Sequence, residues 1–140
     1  MASAFLTRRV TFSAAHRYRR PEWSDAENER VFGLCARPSF HGHSYTCDVT
    51  IRGEIDATTG MLLDLAVLDR VLAAEVRDRF DHRNINLDVP EFSEGKLVPT
   101  GENLARYICW QVQRGLTGVA KVTEVTVAED ATLSCTYRAD

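Results

Sequence analysis

Residues 43–54 (HSYTCDVTIRGE) constrain this chain more than any other stretch. Tyr45, Cys47, Val49 and Ile51 fall on one face at period two, and Ser44, Thr46, Asp48, Thr50 and Arg52 on the other. Alternation of this kind describes a strand with one face in a core and the other in water. Whatever the chain does, it must build a sheet around this segment and cover one side of it.

The remaining segments supply the cover. Residues 5–14 are β-branched and aromatic with partial alternation, and predict a strand. Leu65, Leu68, Val71, Leu72 and Val76 recur at helical spacing behind Asp64, a suitable N-cap, and predict a helix running to about Phe80. A second helix begins near Gly101, capped by Thr100, with Leu104, Tyr107, Ile108, Val112 and Leu116 on its apolar face and Gly115 and Gly118 at its end. Residues 121–129 and 133–138 read as two more strands joined around Asp130-Ala131. Residues 17–40 and 81–99, with Pro21, Pro38, Pro90 and Pro99, read as long loops. The expectation is an α+β fold of one domain, residues 1–140: an antiparallel sheet with both helices on one face.

Charge and composition exclude several function classes. Seventeen basic residues against twenty acidic ones leave a net charge of −3, so no global positive field attracts nucleic acid or an anionic membrane. No segment approaches the roughly 20 consecutive apolar residues of a membrane span, and the first twenty residues lack a signal-peptide apolar run. Cys35, Cys47, Cys109 and Cys135 form no CxxC pair, and a chain of this size does not need disulfides. The expectation is a reduced, cytoplasmic protein.

The sharpest chemical feature is His41-Gly42-His43. Period two places both imidazoles on one strand face. His16 sits just past the first predicted strand, and an antiparallel pairing of the two strands would bring it beside them. Three neutral imidazoles with an open fourth position describe a catalytic zinc site. Spacing alone also allows a polar strand start with two solvated histidines.

Further motifs stand in order along the chain: Phe12-Ser13-Ala14-Ala15-His16, Cys35 six positions before His41, Gly53-Glu54-Ile55-Asp56 with Thr59-Gly60-Met61, Phe80-Asp81-His82-Arg83-Asn84-Ile85-Asn86, Pro99-Thr100-Gly101-Glu102-Asn103, and Glu129. The series resembles the 6-pyruvoyl tetrahydropterin synthase and 6-carboxy-tetrahydropterin synthase family nearly end to end. The resemblance implies a tunnelling fold (T-fold), in which a four-stranded antiparallel sheet is backed by two helices. Three subunits then close a barrel, and two barrels stack into a homohexamer, a dimer of trimers. It implies His16, His41 and His43 as ligands of one Zn²⁺ per subunit, and Cys35 as catalytic cysteine with Asp81 and His82 as its partner pair, meeting it across chains. It also implies Glu129 as pterin anchor and proton-relay residue, Thr100 and Glu102 in the pterin pocket, and Mg²⁺ with the triphosphate.

The implied reaction eliminates triphosphate from 7,8-dihydroneopterin triphosphate without an external redox cofactor. The five-residue spacer between Cys35 and His41 resembles the pyruvoyl synthases, which makes 6-pyruvoyl tetrahydropterin the expected product. The alternatives are 6-carboxy-tetrahydropterin with release of acetaldehyde, and a zinc-stabilised pterin-binding module without turnover. Each residue also has a plainer reading. Cys35 could be a small buried hydrophobe, Asp81-His82 a helix end, Glu129 a strand-end charge facing water, and Glu102 a first-turn helix acid. A cation or metal near Cys35 would lower its thiol pKa. Arg8, Arg9, Arg17, Arg19, Arg20 and Lys96 are candidate triphosphate cations, none of them assigned. Phe40 and Gly101 depart from the family pattern, at a position often small and one often hydroxylated.

Overall fold

A computed structural model describes residues 2–140. The elements in chain order are β1 (Ser3–His16), α1 (Asp25–Phe32), a 3₁₀ turn (Gly33–Ala36), β2 (His41–Glu54) and α2 (Leu65–Leu72). After α2 come a π turn (Ala73–Arg77), α3 (Asp78–Phe80), β3 (Arg83–Asn84), α4 (Ile85–Asp88) and a 3₁₀ turn (Pro90–Phe92). The chain then forms α5 (Gly101–Gly115), β4 (Lys121–Asp130) and β5 (Leu133–Arg138). The sheet runs β3-β1-β2-β4-β5. All pairings are antiparallel except the short β1–β3 contact, which is parallel at Ala14↔Arg83 and Ala15↔Asn84. The sheet therefore has five strands rather than four, because two residues after the turn at His82 pair with the edge of β1.

The alternation in β2 sets the layering. Tyr45, Cys47, Val49 and Ile51 are buried, while their even-numbered neighbours lie on the opposite, polar face, where Arg9 forms a two-point ion pair with Asp48. The buried face receives Leu68, Leu72, Val76 and Phe80 from one side chain stripe and Leu104, Ile108 and Val112 from α5. Phe12 stacks on Tyr45 at 4.8 Å and on Phe80 at 5.3 Å, tying β1, β2 and α3 together.

Four further departures from the sequence reading have physical causes. First, β1 and β2 both reach further than expected, so that His16 is the last residue of β1 and pairs directly with His41. Second, residues 17–40 are not all irregular: Ser24 caps α1 by accepting from the Glu27 N–H at 3.1 Å. Third, the helix from residue 65 to 80 is interrupted by the π turn. Its buried residues Leu68, Leu72, Val76 and Phe80 are spaced by four. A 3.6-residue helix rotates such a stripe off its target by about 40° per step, and one wider turn brings Val76 and Phe80 back onto the sheet. Fourth, residues 81–99 carry two single helical turns, the first capped by Asn84, whose Oδ1 accepts from Leu87 N–H.

Candidate active site

The β1–β2 register builds the centre of the site. Pairing His16 with His41, and Ala14 with His43, puts the three imidazoles on the core face at the end of the hairpin. Ring centroids lie 4.8 Å apart for His16–His41 and 5.1 Å apart for both His16–His43 and His41–His43. One ligand atom from each ring falls within 4.8 Å of the others. Gly42 between them lies so close to β1 that a Cβ there would meet the Ala14 carbonyl oxygen at 3.2 Å.

The donor chemistry fits a metal ion. The Nε2 atoms of His16 and His43 are buried and have no hydrogen-bond partner. His16 Nδ1 lies 3.0 Å from the Tyr45 hydroxyl. In the tautomer with the proton on Nδ1, this nitrogen donates to the Tyr45 oxygen. That tautomer leaves the Nε2 lone pair free. Burial, reinforced by His41 and His43, pushes His16 down to about 3, and burial followed by His43 lowers His41. Both rings are therefore neutral at pH 7, the state in which an imidazole ligates.

Cys35 sits in the 3₁₀ turn after α1, half-buried. Its carbonyl accepts from Tyr18 N–H at 2.7 Å, which ties the turn to the segment leaving His16. The thiol is not lowered by these surroundings: burial raises it first, and the charge of Glu129 raises it further. Asn28, 1% exposed, holds the same segment, accepting from Arg20 N–H and donating to the carbonyls of Arg20 and Ser24.

Glu129, near the end of β4, faces this group rather than water, with its side chain 13% exposed. Its Oε2 lies 3.8 Å from His43 Nε2, and its Oε1 accepts from the Tyr18 hydroxyl at 3.0 Å. A cleft of about 440 Å³ opens beside it, lined by Tyr18, Thr100, Glu102, Val127, Glu129 and Cys135. Thr100 caps α5 by accepting from Asn103 N–H at 3.1 Å, and Glu102 is exposed in the first turn. Thr100 and Glu102 thus combine their plain helix-end roles with a place on the cleft wall. Gly101 leaves room here, since a Cβ would touch Cys135 Cβ at 3.4 Å.

Asp81 and His82 stand at the edge of β1, where His82 lines a cleft with Gly42 and His43. Ser13 N–H donates to Asp81 Oδ1 at 2.9 Å, and His82 N–H donates to the Ser13 carbonyl at 2.7 Å, fixing both at the edge of β1. His82 Nδ1 is 3.1 Å from Asp81 Oδ2, and the His82 side chain is 84% exposed with φ at +59°. Among the described residues, no hydrogen bond or ion pair joins either of them to Cys35, Glu129 or the imidazoles.

The candidate phosphate cations are largely engaged. Arg8 pairs with Asp69, Arg9 with Asp48, Arg17 with Glu94, Arg19 with Asp25 and Arg20 with Glu22. Arg17 also lies over the Phe40 ring, 5.3 Å from its centroid, so Phe40 packs against a charged neighbour of His16.

Sequence reasoning missed the two tyrosines. Tyr45 was assigned to the core face, and its hydroxyl contact to His16 follows from the same alternation carried one step past His43. Tyr18 stands at period two from His16, the only local signal for its place.

Comparison with known proteins places this arrangement. The chain is 42% identical over 135 residues to "6-pyruvoyl tetrahydrobiopterin synthase" of Drosophila melanogaster, covering 96% of this chain and 79% of that protein. It is 42% identical over 113 residues to the Homo sapiens protein of the same name, covering 81% and 77%. The solved structure of Caenorhabditis elegans 6-pyruvoyl tetrahydropterin synthase superposes with a TM-score of 0.92 at 37% identity, covering 100% of this chain and 98% of that one. The family model described as 6-pyruvoyl tetrahydropterin synthase matches residues 5–140, which includes every strand end and turn that builds the imidazole cluster. The chain belongs to the 6-pyruvoyl tetrahydropterin synthase family.

Proposed function

We propose that this chain converts 7,8-dihydroneopterin triphosphate to 6-pyruvoyl tetrahydropterin with elimination of triphosphate, as a lyase of its family, using a site centred on His16, His41 and His43. The observation that carries the reading is the convergence of three ring nitrogens within 4.8 Å, two of them buried without partners, beside Glu129 and the Cys35 turn.

The three imidazoles would hold Zn²⁺, one ion per subunit. Bound there, the ion would act as a Lewis acid toward the substrate side-chain oxygens and lower the pKa of adjacent protons. Cys35 takes a side-chain proton as general base. Its raised thiol pKa means that it needs added positive charge before it can do so near neutral pH. Glu129 accepts paired N–H bonds from the 2-amino-4-oxo ring, a charge-assisted two-point match. Thr100 and Glu102 line the ring pocket. Asp81 orients His82 and stabilises its protonated form. The pair's recorded partners are Ser13 and each other, which is compatible with a site shared between chains, with His82 of one subunit facing Cys35 of another. A homohexamer built as a dimer of trimers meets that need. The pairing of five candidate arginines within the chain supports Mg²⁺ as the counter-charge of the triphosphate. No helix is long and apolar enough to cross a membrane, and the four free cysteines fit a reducing, cytoplasmic setting.

Incubation of the zinc-loaded protein with 7,8-dihydroneopterin triphosphate, with products identified by mass, tests the reading. Pyruvoyl product is expected. A 6-carboxy product with acetaldehyde would assign the other branch of the family, and unchanged substrate would leave a binding module.

A further inference from the structure

Tyr18 joins three parts of the site that come from distant stretches of sequence. Its hydroxyl donates to Glu129 Oε1 at 3.0 Å across 111 positions. Its backbone N–H donates to the Cys35 carbonyl at 2.7 Å. Its ring packs edge-on against His16 at 4.9 Å and against Phe32 at 5.8 Å. The ring thus packs against two aromatic neighbours while its hydroxyl bonds Glu129. A tyrosine has two stiff side-chain torsions, so a packed ring aims its oxygen with little freedom.

Glu129 needs such a guide. Its three side-chain torsions allow several placements, and His43 Nε2 already lies 3.8 Å from Oε2. Among the described residues, the one hydrogen bond to this carboxylate comes from Tyr18, which lines the same cleft. We propose that Tyr18 is a positioning residue that fixes the Glu129 carboxylate for the pterin ring, holding it in the cleft and back from His43. This rests on the reading of Glu129 as the ring anchor. One Oε1 lone pair is taken by the tyrosine hydroxyl, and the carboxylate keeps further lone pairs for the N–H groups of a ring bound in the cleft that Glu129 lines. The bond is charge-assisted, the strong class of side-chain hydrogen bond.

The test is a double-mutant cycle on the full-length, zinc-loaded protein, using Tyr18→Phe, Glu129→Ala and the pair. Tyr18→Phe keeps the ring packing and removes only the hydroxyl. Fluorescence titration with neopterin reads binding of the ring without turnover. Zinc content per chain shows whether the metal site is intact. Tyr18→Phe is expected to weaken neopterin binding about tenfold, the loss of one hydrogen bond to a charged group, with zinc content unchanged. In the Glu129→Ala background the same change is expected to have no further effect. In turnover, Tyr18→Phe is expected to raise KM for 7,8-dihydroneopterin triphosphate more than it lowers kcat. Weakening by Glu129→Ala but not by Tyr18→Phe would overturn the role of Tyr18 alone. So would equal effects of Tyr18→Phe with and without Glu129, or a loss of zinc. Unchanged binding in Glu129→Ala, or no neopterin binding by the unaltered chain, would overturn the anchor reading and this one with it.

Discussion

At the scale of single residues, the imidazole cluster is a matter of tautomer and burial. His16 is fully buried, and its Nδ1 is occupied by the Tyr45 hydroxyl, so Nε2, buried without a partner, remains for a ligand. Cys35 differs in kind: it is half-buried, raised by burial and by Glu129, and outside the cluster. Cys35→Ala is therefore expected to keep one zinc per chain while turnover falls by roughly 10²- to 10⁴-fold, the range for loss of a general base. Zinc analysis and product assay on the same sample check this. The proximity of the three histidines was legible in the sequence because two simple rules, period two and antiparallel pairing, bring them together. Tyr18 and Asn28 were not legible. Their contacts depend on how irregular segments fold back, and no local pattern encodes that. The placement of Asp81 and His82 at the β1 edge was hidden for the same reason, since it follows from backbone bonds to Ser13.

At the scale of elements, strands and long helices were readable where one face meets a core. Alternation marked β2, and the helical stripe marked α2 and α5. Residues 25–32 show why α1 was not: DAENERVF holds few apolar residues, and its only buried member is Asn28. The π turn was equally silent, although the four-residue spacing of Leu68, Leu72, Val76 and Phe80 is the trace it leaves. Helices α2 and α5 meet at Gly115, where a Cβ would lie 2.7 Å from Val71 Cγ1. Gly115→Ala is expected to destabilise the fold by about 1–3 kcal/mol through overpacking. In a Val71→Ala background the same change is expected to be neutral or stabilising. Denaturant unfolding of the four variants measures both. A loss of equal size in the two backgrounds would show that this crossing is not as tight as described.

At the scale of the whole molecule, the sheet ends in two open edges. Among the described residues, no strand pairs with the outer side of β1 beyond Ala14 and Ala15, and β5 forms the other end with Leu133 exposed. Open edges invite pairing with further chains, and the proposed sharing of the site between Cys35 and the Asp81–His82 pair would use one. Light scattering of the purified protein is expected to give six times the chain mass of 15.7 kDa. A monomer with full activity would contradict the shared site. The assembly and the substrate came from family resemblance, because no residue pattern within one chain reports a partner.

The most direct test of the account is to strip the protein of metal and titrate Zn²⁺ back while following formation of 6-pyruvoyl tetrahydropterin. The account predicts negligible turnover without metal, a rise that breaks at one equivalent per chain, and no recovery when His41 and His43 are replaced by Ala. Undiminished turnover in the metal-free protein would contradict it.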